Sequence, residues 1–66
     1  MGGIFLYLKI DKLLKERGIT QYKLSKDTGI SQSCLSDWKR GIANPKLDKL
    51  IILAKYFDVD VQYFLD

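Results

Sequence analysis

The chain has one cysteine, Cys34, and no histidine among its 66 residues, and this excludes two common ways of stabilising a small domain. A lone thiol cannot close an internal disulfide, and one cysteine without imidazole ligands cannot complete a zinc site. A chain of this length also buries only about 60% of the surface that its unfolded form exposes. The fold must therefore depend on the packing of one compact apolar core, and no cofactor is expected.

The composition and the apolar runs indicate a globular protein that stays inside the cell. Hydrophobic residues make up 47% of the chain and charged residues 29%, which is typical of a folded domain. No apolar run approaches the roughly 20 residues that cross a bilayer. The longest, Ile4 to Leu8, is also too short and too poorly flanked for a signal peptide. We therefore expect a cytoplasmic protein without membrane contact.

Charge is unevenly distributed along the chain. From Met1 to Lys46, nine lysines or arginines stand against four acidic residues, a balance of +5, whereas from Leu47 to Asp66 two stand against four, a balance of −2. A basic first part with a mildly acidic tail favours a surface that binds a polyanion such as nucleic acid. Lysines that merely solvate helices would give a similar balance, so charge alone leaves both interpretations open.

Glycine, proline and helix-capping residues divide the chain into five short helical segments, which predicts an all-α fold in one domain. Apolar residues recur at helical spacing within these segments. The predicted helices run from about Leu8 to Arg17, from the Thr20 cap to the residue before Gly29, from the Ser31 cap to about Arg40, over the apolar positions Leu47, Leu50, Ile51, Ala54 and Phe57, and over Val61, Phe64 and Leu65 after an Asp60 cap.

An apolar extension at residues 1–8 precedes the predicted five-helix core at residues 9–66. Three explanations of this extension stay open at the level of sequence. It could lengthen the first helix, pair with a neighbouring subunit or, at residues 1–3, be left over from cloning.

Two of the predicted helices are separated by a very short connection around Gly29. A glycine can adopt the positive φ that lets the chain leave one helix and enter the next at a steep angle. Leu24, Ile30, Leu35 and Trp38 would provide the buried contacts that fix this angle. Trp38 is therefore expected in the core rather than stacked on a base.

The ordered set of residues around this turn resembles the lambda-repressor-like helix-turn-helix family, the Cro and phage-repressor type also called the XRE family. The resemblance continues through Pro45 and the last two helices, and it covers roughly Lys9 to Asp66. Ser25 and Thr28 depart from the family pattern, which usually has alanine and a larger apolar residue there. The matching residues are Thr20-Gln21, Leu24-Ser25, Gly29-Ile30-Ser31-Gln32-Ser33, Leu35-Ser36 and Trp38-Lys39-Arg40-Gly41.

The third helix also has the chemistry of a helix that reads DNA. If Cys34, a small apolar residue, packs inward with Leu35 and Trp38, the opposite face is polar and short-chained. Glutamine can pair with adenine, serine can bond several base edges and aspartate can accept from cytosine. The residues expected on this outward face are Gln32, Ser33, Ser36, Asp37 and Arg40.

Together, the resemblance and the outward face predict which residues contact DNA. Asp37 is open to a second interpretation, because a carboxylate beside phosphates is repelled and could instead pair with Arg40, Lys23 or Lys26. Base contacts are predicted from Ser31, Gln32, Ser33, Ser36 and Asp37. Phosphate contacts are predicted from Thr20, Gln21, Lys39, Arg40 and Lys46.

The resemblance implies a sequence-specific regulator of transcription, a repressor, that places the Ser31 to Arg40 helix in the major groove of double-stranded DNA. One short helix reads too few base pairs to select a genomic site, so a homodimer on a palindromic operator is expected. The last helix, together with the N-terminal apolar run, is the predicted dimer surface, and no small-molecule ligand is evident. Such a protein would be associated with the nucleoid and would be of prokaryotic or phage origin.

Two other classes of function compete with this one. A protein-interaction module, such as the antitoxin of a toxin-antitoxin pair, is compatible with the exposed residues. An enzyme is not expected, because the chain has no histidine, no nucleophile beside an evident base and no glycine-rich phosphate loop.

Overall fold

The computed structural model describes residues 3–65, and all the regular elements in this range are helices, which confirms the predicted all-α fold. None of these helices has the length and apolar character needed to cross a membrane. In chain order they are α1 Gly3–Arg17, α2 Gln21–Thr28, α3 Gln32–Lys39, α4 Leu47–Phe57 and α5 Gln62–Leu65.

Helix α1 begins at Gly3, so the predicted start at Leu8 is wrong. The cause is visible in the spacing of the apolar residues. Tyr7 precedes Ile10 by three residues and Leu14 by seven, which places all three on one helical face, and all three are buried. Residues 3–8 therefore lengthen the first helix, as one of the three explanations held. Residues 1 and 2 lie outside the described range.

The helix-turn-helix at α2 and α3 has the predicted caps and turn. Thr20 and Ser31 cap the two helices, and Gly29 has a φ of 79° between them. The hydroxyl of Thr28 donates to the carbonyl oxygen of Leu24 at 2.7 Å and accepts from the backbone N–H of Ile30 at 3.2 Å. Thr28 thus gives the backbone N–H of Ile30 an acceptor just past the end of α2, where backbone groups lack helical partners.

The core is a single cluster of apolar side chains drawn from all five helices and from the turn. Trp38 is 2% exposed, which confirms its predicted place in the core, whereas Cys34 is only half-buried at the edge of the cluster. The buried side chains are those of Tyr7, Ile10, Leu13, Leu14, Leu24, Ile30, Leu35, Trp38, Leu50, Leu53, Ala54, Phe57 and Phe64.

Helix α4 buries most, but not all, of the apolar positions that were predicted to face the core. Leu47 is 57% exposed and Ile51 40% exposed, although both were predicted on the apolar face. Leu50, Ala54 and Phe57 are buried as predicted, and Leu53, three residues after Leu50 on the same face, is buried as well. Because α4 is apolar around most of its circumference, periodicity alone could not decide whether Ile51 or Leu53 faces the core.

Candidate nucleic-acid interface

Helix α3 is fixed to the core on one side and open on the other. Leu35 and Trp38 are buried, while Gln32 and Ser33 are exposed at the start of the helix. Ser31, also exposed, caps the helix by accepting a hydrogen bond at its Oγ from the backbone N–H of Cys34, at 3.0 Å. That hydroxyl keeps its own hydrogen for donation. The start of α3 therefore offers a row of short polar groups to solvent.

Two predicted base-contacting residues, Ser36 and Asp37, are half-buried rather than fully outward. Asp37 forms no ion pair with Arg40, Lys23 or Lys26 within residues 3–65; Lys23 instead pairs with Asp27, at 3.0 Å. The alternative explanation of Asp37 as an ion-pair partner is therefore wrong in this structure. Its contact with a base remains a prediction.

The start of α2 holds two of the predicted phosphate-contacting residues. The exposed Thr20 accepts a hydrogen bond at Oγ1 from the backbone N–H of Lys23, at 3.1 Å. Gln21, the first residue of the helix, is half-buried, and its Oε1 accepts a hydrogen bond from the hydroxyl of Tyr7 at 3.0 Å. Backbone N–H groups and the positive end of the helix dipole also favour an anion at such a terminus.

The end of α3 and the loop between α3 and α4 supply the remaining cations. Lys39, Arg40 and Lys46 are all exposed, and no ion pair within residues 3–65 neutralises them. The buried Pro45 anchors the loop, and Lys46 directly precedes α4. These three side chains are therefore available to an anionic partner.

A groove of about 240 Å³ lies between the end of α3 and the start of α4. Its lining includes Cys34 and Trp38 of α3 and Asn44 and Lys46 of the following loop. Because residues of the loop and of α3 line the same groove, Lys46 lies close to the helix that carries the predicted base contacts. Exposed Asn44 was not among the predicted contacts, although an amide in a loop of this kind is a possible phosphate donor.

Tyr7 is the site residue that sequence reasoning missed. It was assigned to an unexplained extension, yet its hydroxyl holds Gln21. Burial raises the pKa of this hydroxyl, and Asp11 raises it further against an opposing effect of Lys15, so Tyr7 keeps its proton at neutral pH. The spacing of Tyr7 to Ile10 was the signal that could have placed it on α1.

A family model described as helix-turn-helix matches residues 10–64 of the chain. The chain belongs to the helix-turn-helix family. Within this family the fold is of the lambda-repressor-like kind, as the arrangement of the five helices is consistent with it. The matched segment contains every residue predicted to contact DNA, whereas Tyr7 lies before it.

One curated relative of this helix-turn-helix chain is YobD of Bacillus subtilis (strain 168), described as an uncharacterized HTH-type transcriptional regulator. The two are 35% identical over 57 residues, which make up 86% of this chain. The chain spans 51% of the length of that relative. No solved structure matches the chain.

Proposed function

We propose that this chain is a sequence-specific transcriptional regulator, a repressor, that inserts α3 into the major groove of double-stranded DNA. The observation that carries the proposal is the exposed polar start of α3, at Gln32 and Ser33, on a helix whose other side is buried through Leu35 and Trp38. A helix fits the major groove, where each base pair presents a distinct set of donors and acceptors. The description of the B. subtilis relative supports the same class of function. The proposed activity is binding without catalysis.

The proposal divides the interface into two chemical tasks. Base edges are read by Ser31, Gln32, Ser33, Ser36 and Asp37, whose side chains can donate or accept hydrogen bonds. Phosphates are held by the start of α2, by the end of α3 and by the loop that follows it, and these contacts fix the register of the protein on the duplex without reading sequence. The phosphate-holding residues are Thr20, Gln21, Lys39, Arg40 and Lys46.

We further propose that the protein binds a palindromic operator as a homodimer, in the cytoplasm and at the nucleoid. Exposed apolar side chains on α1 and α5 support this proposal, because Phe5 is 56% exposed, Leu8 is 52% exposed and Leu65 is 53% exposed. Large apolar side chains in solvent are a common feature of surfaces that pair. Two copies related by a two-fold axis would read two half-sites about one helical turn of DNA apart.

Selection of duplexes from a random library, followed by titrations at several salt concentrations, tests the proposal. A palindromic consensus is expected, and affinity should fall steeply with salt, by a log-log slope of roughly 0.9 for each neutralised phosphate. No enriched sequence, or a flat response to salt, would contradict binding in the groove. Sedimentation with and without the selected duplex measures the proposed dimer.

A second function is favoured by a different observation. Ile42, Leu47 and Ile51 are also exposed, near the loop and along α4, and they could receive another protein. The chain would then be an interaction module such as an antitoxin. A duplex-binding titration separates the two functions, since an interaction module that has lost DNA binding shifts no duplex at any salt concentration.

A further inference from the structure

The hydroxyl of Tyr7 reaches across from α1 to the first residue of α2. It donates a hydrogen bond to Oε1 of Gln21 at 3.0 Å, between residues 14 apart in the chain. The ring of Tyr7 belongs to the buried core, where the residue is 4% exposed, so its position is set by packing. Gln21 is therefore held by a group that cannot easily move.

The orientation of a glutamine amide decides whether it can bind a phosphate. One end of the amide is an acceptor and the other carries two donor hydrogens, whereas phosphate oxygens in DNA only accept. Because the hydroxyl of Tyr7 occupies Oε1, the donor end of Gln21 is left for another partner. A glutamine without this hydrogen bond could present either end of its amide, and fixing one orientation on binding would cost conformational entropy.

The donor end of Gln21 is open to solvent. Its Nε2 makes no hydrogen bond within residues 3–65, and in that range no side-chain nitrogen or oxygen is both buried and without a partner. Nε2 is therefore accessible, at the N-terminus of a helix whose cap is already satisfied by Thr20. Two free donors stand where the backbone also favours an anion.

We propose that Tyr7 is a positioning residue for DNA binding, which holds the amide of Gln21 with its NH₂ group turned toward the phosphate backbone. This inference rests on the proposed function, and specifically on phosphate contact by Gln21. Tyr7 lies before the segment that matches the family model, which begins at residue 10.

The test is a double-mutant cycle on the full chain, with a fluorescein-labelled duplex of scrambled sequence as the probe, because a phosphate contact does not depend on sequence. Tyr7→Phe removes the donor and keeps the ring, and should weaken binding about threefold to tenfold, the usual net effect of one hydrogen bond. Gln21→Ala should weaken binding at least as much. Adding Tyr7→Phe to Gln21→Ala should then cause no further loss, and the salt slope should stay constant because neither residue is charged.

Gln21→Lys provides a second variant that separates positioning from folding. An ammonium group carries only donors, so it cannot present an acceptor to the phosphate and does not need to be held in one orientation. In the Gln21→Lys background, Tyr7→Phe should therefore leave affinity unchanged, although any damage to the core would persist. Tyr56→Phe is the matched control, since it also removes a hydroxyl that holds α2, at Oδ2 of Asp27 at 2.6 Å, and because Asp27 is not among the predicted DNA contacts its removal should not alter affinity. Urea unfolding curves give the free energy of unfolding of every variant, so that titrations are run where all are folded.

The outcomes distinguish this inference from the proposed function. If Tyr7→Phe leaves affinity unchanged in the wild-type background, or weakens binding equally in all three backgrounds, Tyr7 does not act through Gln21 and the inference is overturned. If Gln21→Ala has no effect, the phosphate contact of Gln21 and the role of Tyr7 both fail while groove binding stands. If the wild-type chain binds no duplex, the proposed function itself fails and the inference fails with it.

Discussion

The hydroxyl of Tyr56 donates a hydrogen bond to Oδ2 of Asp27 at 2.6 Å, which ties α4 to the last turn of α2. The same carboxylate oxygen lies 3.0 Å from Nζ of Lys23. The hydrogen bond between Tyr7 and Gln21 ties the other end of α2, its first residue, to α1. The first helix of the helix-turn-helix is thus held at its start by α1 and at its end by α4.

The bond between Tyr56 and Asp27 predicts a pH dependence of stability. The Tyr56 hydroxyl, and then Lys23, lower the pKa of Asp27 below its ordinary value of 3.8. A carboxyl whose pKa is lower in the folded state contributes stability above the unfolded pKa and loses it as pH falls through the folded one. The same hydrogen bond raises the pKa of Tyr56 above 10.0, so its contribution is present below that pH and is lost as pH rises through the folded value.

Tyr56→Phe should therefore lower the free energy of unfolding between about pH 5 and 9, and the difference from wild type should shrink below about pH 4. Urea unfolding followed by circular dichroism at a series of pH values measures it. Tyr63→Phe is the control, because the hydroxyl of Tyr63 makes no hydrogen bond within residues 3–65. An equal deficit at pH 3 and pH 7 would show that Tyr56→Phe acts through packing and not through the carboxylate.

Much of the fold could be predicted because local signals and the core agree. Thr20, Gly29 and Ser31 each mark a helix end by a property of the residue itself, and each has the predicted role. Trp38 is buried because its spacing to Leu35 leaves one apolar face on α3. Such positions depend on contacts within a few residues, which the sequence displays directly.

The rest depends on contacts between distant parts of the chain. Nothing in the sequence near Tyr7 indicates a bond to Gln21, and nothing near Tyr56 indicates a bond to Asp27, since both pairs form only after the helices have packed. The same limit explains the error on α4, where Ile51 was predicted on the buried face but is exposed, while Leu53 is buried. Which of the two side chains is buried depends on how α4 packs against α2 and the rest of the core. For this reason the site was predicted as a set of side chains without the groups that orient them.

The burial of Trp38 predicts a large loss of stability on truncation. Trp38→Ala should lower the free energy of unfolding by about 3 to 5 kcal/mol, which is much of the stability available to a small domain. Circular dichroism and urea titration measure the loss, and Trp38→Phe, which keeps most of the ring volume, should cost less. A Trp38→Ala protein as stable as wild type would mean that this side chain is not in the core.

Gly29 and Asp58 both have a positive φ, and substitutions at these two positions should change the free energy of unfolding in opposite directions. Gly29 has a φ of 79° with open space where a Cβ would stand, so Gly29→Ala should lose roughly 1 kcal/mol from backbone strain alone. Asp58 has a φ of 57° at the end of α4, so Asp58→Gly relieves strain and should gain up to about 1 kcal/mol. Thermal unfolding of both variants checks this. A gain for Gly29→Ala would contradict the left-handed conformation of the turn.

The sharpest prediction separates base reading at Gln32 from phosphate binding at Arg40, two exposed residues at opposite ends of α3. Gln32→Ala should lose about 1 to 3 kcal/mol on the selected duplex and little on a scrambled one, because only a base contact depends on sequence. Arg40→Ala should weaken every duplex to a similar extent and lower the salt slope by about 1, because one phosphate fewer is neutralised. Both variants should stay folded, since neither side chain belongs to the core.

Binding isotherms on the selected and the scrambled duplex, each at several salt concentrations, give both quantities for each variant. Lys12→Ala is the matched charge control: Lys12 is exposed on α1, has no ion pair within residues 3–65 and is not among the predicted contacts. Lys12→Ala and Arg40→Ala lower the net charge by the same amount. Equal losses of affinity in the two variants would therefore mean that Arg40 acts by long-range attraction and not by contact with a phosphate. If Gln32→Ala weakens both duplexes alike, or if Arg40→Ala changes the preferred sequence, the roles assigned along α3 are wrong even though the fold stands.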